Sequence, residues 1–220
     1  MGLADPTHPA TTPKENNASE RETLTGFART ARELFEKGHY NEALKNALVA
    51  DQILQNGSLP DLSLRAMSQY FIAEICLKMG HPLDAENYAR NSLKIYESLS
   101  EHKPEILFRA LEFLVQSLRA QGKHAEVIDL VNRIAPLPSD LLADYSLESA
   151  AILFEGEQSS IALTDYPLAI RLTHKSIQIE RDALTRSRES EEIKRKRQLI
   201  FLHSEFSLGR LYYNCQEYLC

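Results

Sequence analysis

The sequence predicts an all-α fold, and three observations support this prediction. Apolar residues recur three and four positions apart from about residue 23 onward, which is the spacing of amphipathic helices. The breaks between these runs contain Pro or Gly, which stop a helix, together with Ser or Asp, which can cap the next one. No stretch of the sequence has a pattern that favours a strand over a helix. We therefore expect a series of helices joined by short connections.

The positions of the breaks divide the chain into a tail and a helical domain. Residues 1–22 are rich in Pro, Thr, Asn and Ala and have few large apolar side chains, so we expect a disordered N-terminal tail. Residues 23–220 are expected to form one helical domain. The predicted helices lie near 23–37, 41–55, 61–79, 83–99, 104–121, 124–134, 140–157, 165–185 and 190–215.

The composition excludes several classes of protein. The 220 residues carry a formal net charge of −6, which argues against a nucleic-acid binder that neutralises phosphates with a basic surface. The three cysteines, Cys76, Cys215 and Cys220, have no metal-ligand spacing, and their small, odd number favours a reducing compartment. No run of 18 apolar residues and no secretory signal occur in the sequence. We expect a cytoplasmic protein that does not span a membrane.

The helices follow a fixed period. Four segments align on Gly38, Gly80, Gly122 and Thr164, and each lies 42 residues after the one before. A fixed period of this length is typical of helical repeat proteins, in which each unit is a pair of helices.

The residues around each aligned turn follow a common pattern. A first helix, A, carries a large residue and then an apolar and a small residue before the Gly turn, and a second helix, B, presents small residues. The matching positions are Phe27, Thr30, Ala31, Leu34, Gly38, Tyr40, Ala43, Ala47 and Ala50 in the first unit, Gln69, Ile72, Ala73, Cys76, Gly80, Pro82, Ala85, Ala89 and Ser92 in the second, and Leu111, Leu114, Val115, Leu118, Gly122, His124, Val127, Val131 and Ile134 in the third.

This pattern resembles the tetratricopeptide repeat family, although 42 residues exceed that family's usual repeat of about 34. The resemblance implies a right-handed solenoid of antiparallel helix pairs. It also implies that helix A of each unit lines a concave groove, which binds an extended or helical segment of another protein. We therefore expect a scaffold or adaptor that acts in a multiprotein assembly.

Two places depart from the pattern. In the fourth unit, helix B retains Tyr166, Ala169, Thr173 and Ser176. The register of helix A, however, puts Gly156 and Glu157 at packed positions, so we expect an insertion around EGEQSS (155–160). A fifth helix A is predicted in FSLGRLYYNCQEY (206–218), and no helix B pattern follows it, so we expect the last repeat to be incomplete. Its bare face, with Leu208, Leu211 and Tyr212, is a candidate for self-association.

Helix geometry selects the side chains of helix A that would line the groove. The candidates are Arg29, Arg32, Tyr70, Phe71, Glu74, Arg109, Phe113, Gln116 and Arg119. Arginines pair with carboxylates and aromatic rings fill apolar pockets, so this wall would suit an acidic peptide with apolar anchors. The alternative is that the aromatic side chains pack between helices and that the arginines are solvated.

The run Lys194–Arg197 has two interpretations. It can act as a nuclear import signal. Alternatively it is an exposed helix face, because Glu191 and Glu192 lie four residues before Arg195 and Lys196 and can form ion pairs with them.

Catalysis is not expected. The sequence has no Gly-rich phosphate loop, nucleophile elbow or paired metal-binding motif, and so no cofactor or metal is predicted. His39, His81 and His124 fall at successive turns and would lie along an edge rather than meet at one metal. The alternative to an adaptor is a regulatory sensor whose groove binds a small signal or a peptide.

Overall fold

The computed structural model describes residues 13–57, 61–101, 103–186 and 191–218, and within these ranges the chain is entirely helical apart from its turns. The all-α prediction is confirmed. The helices are α1 (Pro13–Glu36), α2 (Tyr40–Asn56), α3 (Leu62–Lys78), α4 (Pro82–Glu97), α5 (Pro104–Ala120), α6 (His124–Ile134), α7 (Ser139–Asp144), α8 (Ser146–Ala162), α9 (Tyr166–Arg186) and α10 (Glu191–Tyr218).

Two helix boundaries differ from the prediction. Helix α1 begins at Pro13, inside the stretch assigned to the tail, because Pro is well suited to the first position of a helix; residues 1–12 lie outside the described residues. The single helix predicted at 140–157 is divided into α7 and α8 at Tyr145. The backbone of Tyr145 is not helical (φ −115°, ψ 43°), and its ring stacks on Phe108 with centroids 4.9 Å apart.

The helices pack in sequence as antiparallel pairs. The pairs are α1 with α2, α3 with α4, α5 with α6 and α8 with α9, and each pair packs against the next. Helix α10 packs on α9. We refer to α1, α3, α5 and α8 as the A helices and to α2, α4, α6 and α9 as the B helices.

The same turn joins the two helices of all four pairs. Gly38, Gly80 and Gly122 have left-handed backbone (φ 79°, 76° and 72°), and Thr164 adopts it as well at φ 59°. At the first turn the Gly38 N–H donates to the Phe35 carbonyl, and the next N–H donates to the carbonyl five residues back. The other three turns have the same two bonds. The 42-residue spacing thus corresponds to one turn geometry that recurs four times.

Small side chains let the two helices of each pair approach closely. Ala31 and Ala73 on the A helices and Ala43 and Ala85 on the B helices are completely buried. Larger side chains fill the space between successive pairs, and Phe108 of α5 is completely buried there. This division of small and large residues allows tight crossing within a pair while still filling the core.

The fourth pair has no insertion, which corrects the prediction for EGEQSS. Helix α8 runs through these residues without a break. Gly156 lies within it, at a close helix crossing. A Cβ atom there would lie 2.9 Å from Cγ2 of Val131 and 3.0 Å from Cδ1 of Leu172. Glu157 is 3% exposed and accepts hydrogen bonds from the hydroxyls of Thr173 (2.8 Å) and Ser207. Both residues occupy the packed positions that the 42-residue register assigns to them.

The inner face of α10 is held by polar contacts as well as by apolar packing. Arg197 and Glu180 of α9 are 4% and 0% exposed, with Nη1 and Oε2 3.8 Å apart. Leu211 is also buried, which removes it from the bare face predicted for this helix. Tyr212 remains half exposed, and its hydroxyl lies 3.1 Å from Nε2 of His174.

Because Arg197 is buried, Lys194–Arg197 is not a run of four exposed cations. Arg195 is exposed and Lys194 is half buried. Nuclear import through this run remains a prediction, and it would have to proceed without the Arg197 side chain. Among the described residues no helix combines the length and apolarity needed to cross a membrane.

Candidate functional site

The candidate groove residues lie on the A helices, and the aromatic residues among them pack between helices. Tyr70 and Phe113 are 7% and 4% exposed, and their rings, on α3 and α5, are 6.3 Å apart. Phe71 is half buried and meets Phe35 of α1 edge to face at 5.5 Å. The packing interpretation therefore describes Tyr70 and Phe113, whereas Phe71 retains a partly exposed ring.

The arginines of the A helices have different surroundings. The Arg32 guanidinium lies 4.2 Å from the centre of the Phe71 ring, which is a cation–π contact between α1 and α3. Arg109 of α5 lies 3.3 Å from both Glu112 and Glu148, and Arg119 pairs with Glu155.

Arg29 and Gln116 complete the candidate set. Arg29 is exposed on α1. Gln116 is half buried, and its Nε2 lies 3.5 Å from Oε1 of Glu112. The structure thus gathers most of the candidates into contacts that link one A helix to the next, while Arg29 stays at the surface.

Sequence reasoning missed Glu148 and Glu155, the acidic partners supplied by α8. Three of the contacts between successive A helices join residues that are fewer than 42 positions apart. Arg32 contacts Phe71 and Arg109 contacts Glu148 at a separation of 39 residues, and Arg119 contacts Glu155 at 36. The 42-residue register could have indicated these partners. In each of the three contacts the partner on the next A helix lies about one to two helical turns before the position equivalent to the arginine.

The A-helix face carries both signs of charge. Burial raises the pKa of Glu74 and of Glu155 above the ordinary range, although nearby arginines oppose the shift. Burial also raises the pKa of Glu112 to about 7, and the neighbouring Arg109 offsets only part of that effect. Two of the arginines predicted to be available for an acidic ligand thus already neutralise carboxylates of the chain.

The pKa of Glu112 gives a prediction for stability against pH. This pKa is about 7 in the folded chain and near 4.5 for an ordinary Glu. Between these two pH values the folded state therefore retains a proton that the unfolded state has lost. The contribution of Glu112 to the free energy of unfolding is at its maximum below about pH 4.5 and is lost as the pH rises through about 7. The full pKa difference corresponds to roughly 3–4 kcal/mol.

The measurement compares the native chain with Glu112→Gln, which keeps the shape but cannot ionise. We expect the unfolding free energy of the native chain, relative to the variant, to fall by roughly 2–3 kcal/mol between about pH 5 and pH 8 in urea titrations. The subtraction removes the effect of other titrating groups. A difference that does not change with pH would show that Glu112 is ionised throughout this range.

A largely apolar cleft opens between α1 and α3 on the A-helix face. Its volume is about 340 Å³. Arg32 and Phe71 lie at its α1–α3 boundary, and Tyr70 contributes to its wall. The remaining lining residues are Leu24, Thr25, Ala28, Ala31, Ala47, Ala50, Leu54, Leu64, Met67 and Ser68. The small side chains of α1 and α2 leave this space unfilled.

A second polar cluster joins the B helices near the turns. Glu86 of α4 accepts hydrogen bonds from Lys123 and Gln121 at 2.8 Å, and it also pairs with Arg90. Burial alone would raise the pKa of Glu86, but these three partners outweigh it and lower the pKa to about 2. Since Arg90 also reaches Glu126 of α6, the cluster fixes the position of one pair relative to the next.

The three histidines at successive turns do not converge. His39 and His81 are exposed, and Nδ1 of His124 lies 3.3 Å from the Ser159 hydroxyl. No group of three or more His, Cys, Asp or Glu side chains in the described part of the chain is arranged to hold a metal ion. Cys76 is buried, and burial raises its pKa to about 11; Cys220 lies outside the described residues.

Comparison with known proteins does not assign the chain to a family. No protein-family model matches the sequence, and no curated protein matches it either.

Proposed function

We propose that the chain is a scaffold or adaptor of the tetratricopeptide type, which binds a segment of a partner protein on its A-helix face. In this proposal the helix pairs form a right-handed solenoid, and the protein acts within a multiprotein assembly without a cofactor or catalysis. The observation that carries the proposal is the apolar cleft between α1 and α3, with Arg32 beside it.

The cleft suits an apolar side chain of a bound peptide or helix. Its lining is largely Leu, Ala and Met, so an apolar anchor that entered it would lose contact with water without leaving a polar group unpaired. Leu24 and Leu54 are already almost fully buried at its base, which gives the anchor a fixed surface to pack against. A pocket of this kind can supply most of the binding energy of a small interface.

Arg32 adds a preference for acidic residues next to that anchor. Stacking on Phe71 fixes the guanidinium plane and leaves N–H groups at its edge for a carboxylate. Arg109 and Arg119 contribute less, because they already pair with Glu148 and Glu155. The proposed ligand is therefore a segment with an apolar anchor for the cleft and an acidic residue near Arg32.

The same cleft supports the second candidate, a sensor for a small signal. About 340 Å³ is near the lower end of the volumes of small-molecule sites. The two functions differ in what must be bound: an adaptor requires the main chain or flanking residues of a peptide, whereas a sensor binds an isolated small apolar molecule.

The test is selection of ligands from a random peptide display library, followed by affinity measurements on two variants. Ala28→Phe fills the cleft from an exposed position on α1, and Arg32→Glu reverses the charge beside it. We expect selected peptides to share an apolar and an acidic residue, and each variant to weaken binding by about tenfold or more. Lys45→Glu, an equal charge reversal at an exposed site on α2, is the matched control.

Replacement of the acidic residue of the peptide by its amide separates charge recognition from general damage. The amide peptide should bind the native chain more weakly than the acidic peptide does. It should bind the Arg32→Glu variant almost as well as it binds the native chain. Peptides that bind both cleft variants as well as the native chain would contradict the proposal. A small apolar compound that raises the melting temperature, without any selected peptide, would favour the sensor.

A further inference from the structure

The outer face of α10 carries a continuous apolar stripe that no described part of the chain covers. Leu199, Leu202, Phe206 and Tyr213 are 68%, 59%, 74% and 62% exposed. Gly209 lies between the last two and has open space around its Cα. The stripe is unusual on this chain, because large apolar residues elsewhere on the described surface are exposed singly or in pairs.

The spacing of the stripe is that of a coiled-coil seam. Successive members are separated by three, four, three and four residues, so they occupy the a and d positions of a heptad. The opposite side of the helix holds Arg197, Ser204 and Leu211, which are seven residues apart and buried. Helix α10 therefore has two seams, one packed against the rest of the fold and one exposed.

The charges beside the stripe indicate what would cover it. Glu205 and Arg210 are exposed, and neither makes an ion pair or hydrogen bond with another described residue. In the heptad register Glu205 is at g and Arg210 is at e of the following heptad. In a parallel two-stranded coiled coil, a g residue of one helix lies beside the e residue five positions later in the other. Glu205 would then meet Arg210 of a second copy, and the pair would occur twice.

We propose that the stripe on α10 binds the same stripe of a second copy of this chain, in a parallel arrangement. Leu199, Leu202 and Phe206 of each copy meet their counterparts in successive layers, and Gly209 gives the aromatic layers on either side room to pack. An antiparallel arrangement brings Glu205 near the g side of the partner helix and Arg210 near its e side, which does not produce these ion pairs. This inference is independent of the ligand of the A-helix face.

The seam is short, so the dimer should be reversible. The stripe spans 15 residues, which is about 22 Å of helix. Two heptads alone are marginal, but α10 is already held as a helix by its packing on α9 and by contacts with α8. The cost of ordering the helix is therefore not incurred on association. We expect a monomer–dimer equilibrium that depends on concentration in the micromolar range.

Analytical ultracentrifugation of the 220-residue chain, over a hundredfold range of concentration, tests this directly. We expect the native chain to dimerise, and Phe206→Glu to weaken the dimer by about tenfold or more because it puts two like charges in the seam. Leu83→Glu, at a residue 65% exposed on α4, is the matched control and should dimerise as the native chain does. Circular dichroism checks that each variant is folded.

Charge reversal tests two points together: that the partner is a second copy of the chain, and that the two α10 helices run parallel. Glu205→Arg should weaken the dimer by about fivefold, and Arg210→Glu should do the same, since each exchanges two ion pairs for two like-charge contacts. The double variant with both changes restores the pairs in a parallel homodimer and should recover native dimerisation.

Several results would overturn the inference. If the chain stays monomeric at every concentration, the stripe does not bind a second copy, and a different protein would have to cover it. A dimer that is unaffected by Phe206→Glu, or is weakened equally by Leu83→Glu, would not use the stripe. A double charge variant that remains as weak as the single variants would exclude the parallel arrangement.

Discussion

Replacement of Arg197 by Ala is expected to lower the free energy of unfolding by about 3–5 kcal/mol, a large part of the stability of an ordinary domain. Arg197 and its partner Glu180 are 4% and 0% exposed. Removal of the arginine takes away the cation that lies 3.8 Å from the completely buried Glu180 carboxylate. The cost comes from the loss of this compensation for a buried charge rather than from the strength of the ion pair itself.

Two further variants separate this explanation from a general sensitivity of α10. Arg195→Ala removes a cation two residues away at an exposed position and should change the unfolding free energy by less than about 0.5 kcal/mol. The double variant Arg197→Met with Glu180→Leu removes both charges, keeps the volume, and should recover most of the loss. Urea unfolding monitored by circular dichroism measures all three. A double variant as unstable as Arg197→Ala would show that packing, not charge, holds α10 in place.

The same residue illustrates what sequence reasoning could not decide. The run Lys194–Arg197 has two interpretations at the sequence level, import signal or exposed helix face, and both treat Arg197 as solvated. The heptad spacing of Arg197, Ser204 and Leu211 places all three on one face of the helix, but it does not say whether that face is packed. Only the position of Glu180 on α9 decides this.

The helix pairs, by contrast, could be predicted because their turns use local chemistry. Gly38, Gly80 and Gly122 mark three left-handed turns directly, since Gly adopts this backbone without steric cost. Thr164 gives no such signal and was found only through the 42-residue spacing. The interruption at Tyr145 was missed because both halves, α7 and α8, continue the helical pattern of apolar residues.

The candidate site was predicted at the level of helices but not of contacts. Adjacent residues of a helix point about 100° apart. A side chain that faces the groove and one that faces the next A helix can therefore be neighbours in the sequence. Tyr70 and Phe71 show this, because the first is buried against Phe113 and the second is partly open beside Arg32. The register between A helices, which brings Glu148 and Glu155 to the arginines, requires the three-dimensional packing.

Gly156→Leu is expected to lower the free energy of unfolding by about 3 kcal/mol or more. Even a Cβ atom at this position would lie 2.9 Å from Cγ2 of Val131, and that side chain is completely buried and β-branched, so it cannot turn aside at low cost. The additional methyl groups of Leu would have to separate α8 from α6 or α9. Because α8 packs on α9 and α9 packs on α10, we expect the change to loosen α9 and α10 together.

The matched control is Gly26→Leu in α1, where nothing lies within 4 Å of the position that a Cβ atom would take. Leu is a better helix former than Gly, so this variant should be as stable as the native chain or more stable by about 0.5–1 kcal/mol. The same intrinsic gain applies at Gly156, which means that the measured loss there understates the steric cost. Thermal and urea unfolding of both variants provide the comparison. Equal stability of the two variants would show that the helix crossing at Gly156 can open at little cost, whereas a loss confined to Gly156→Leu would establish that close packing at this crossing stabilises the fold.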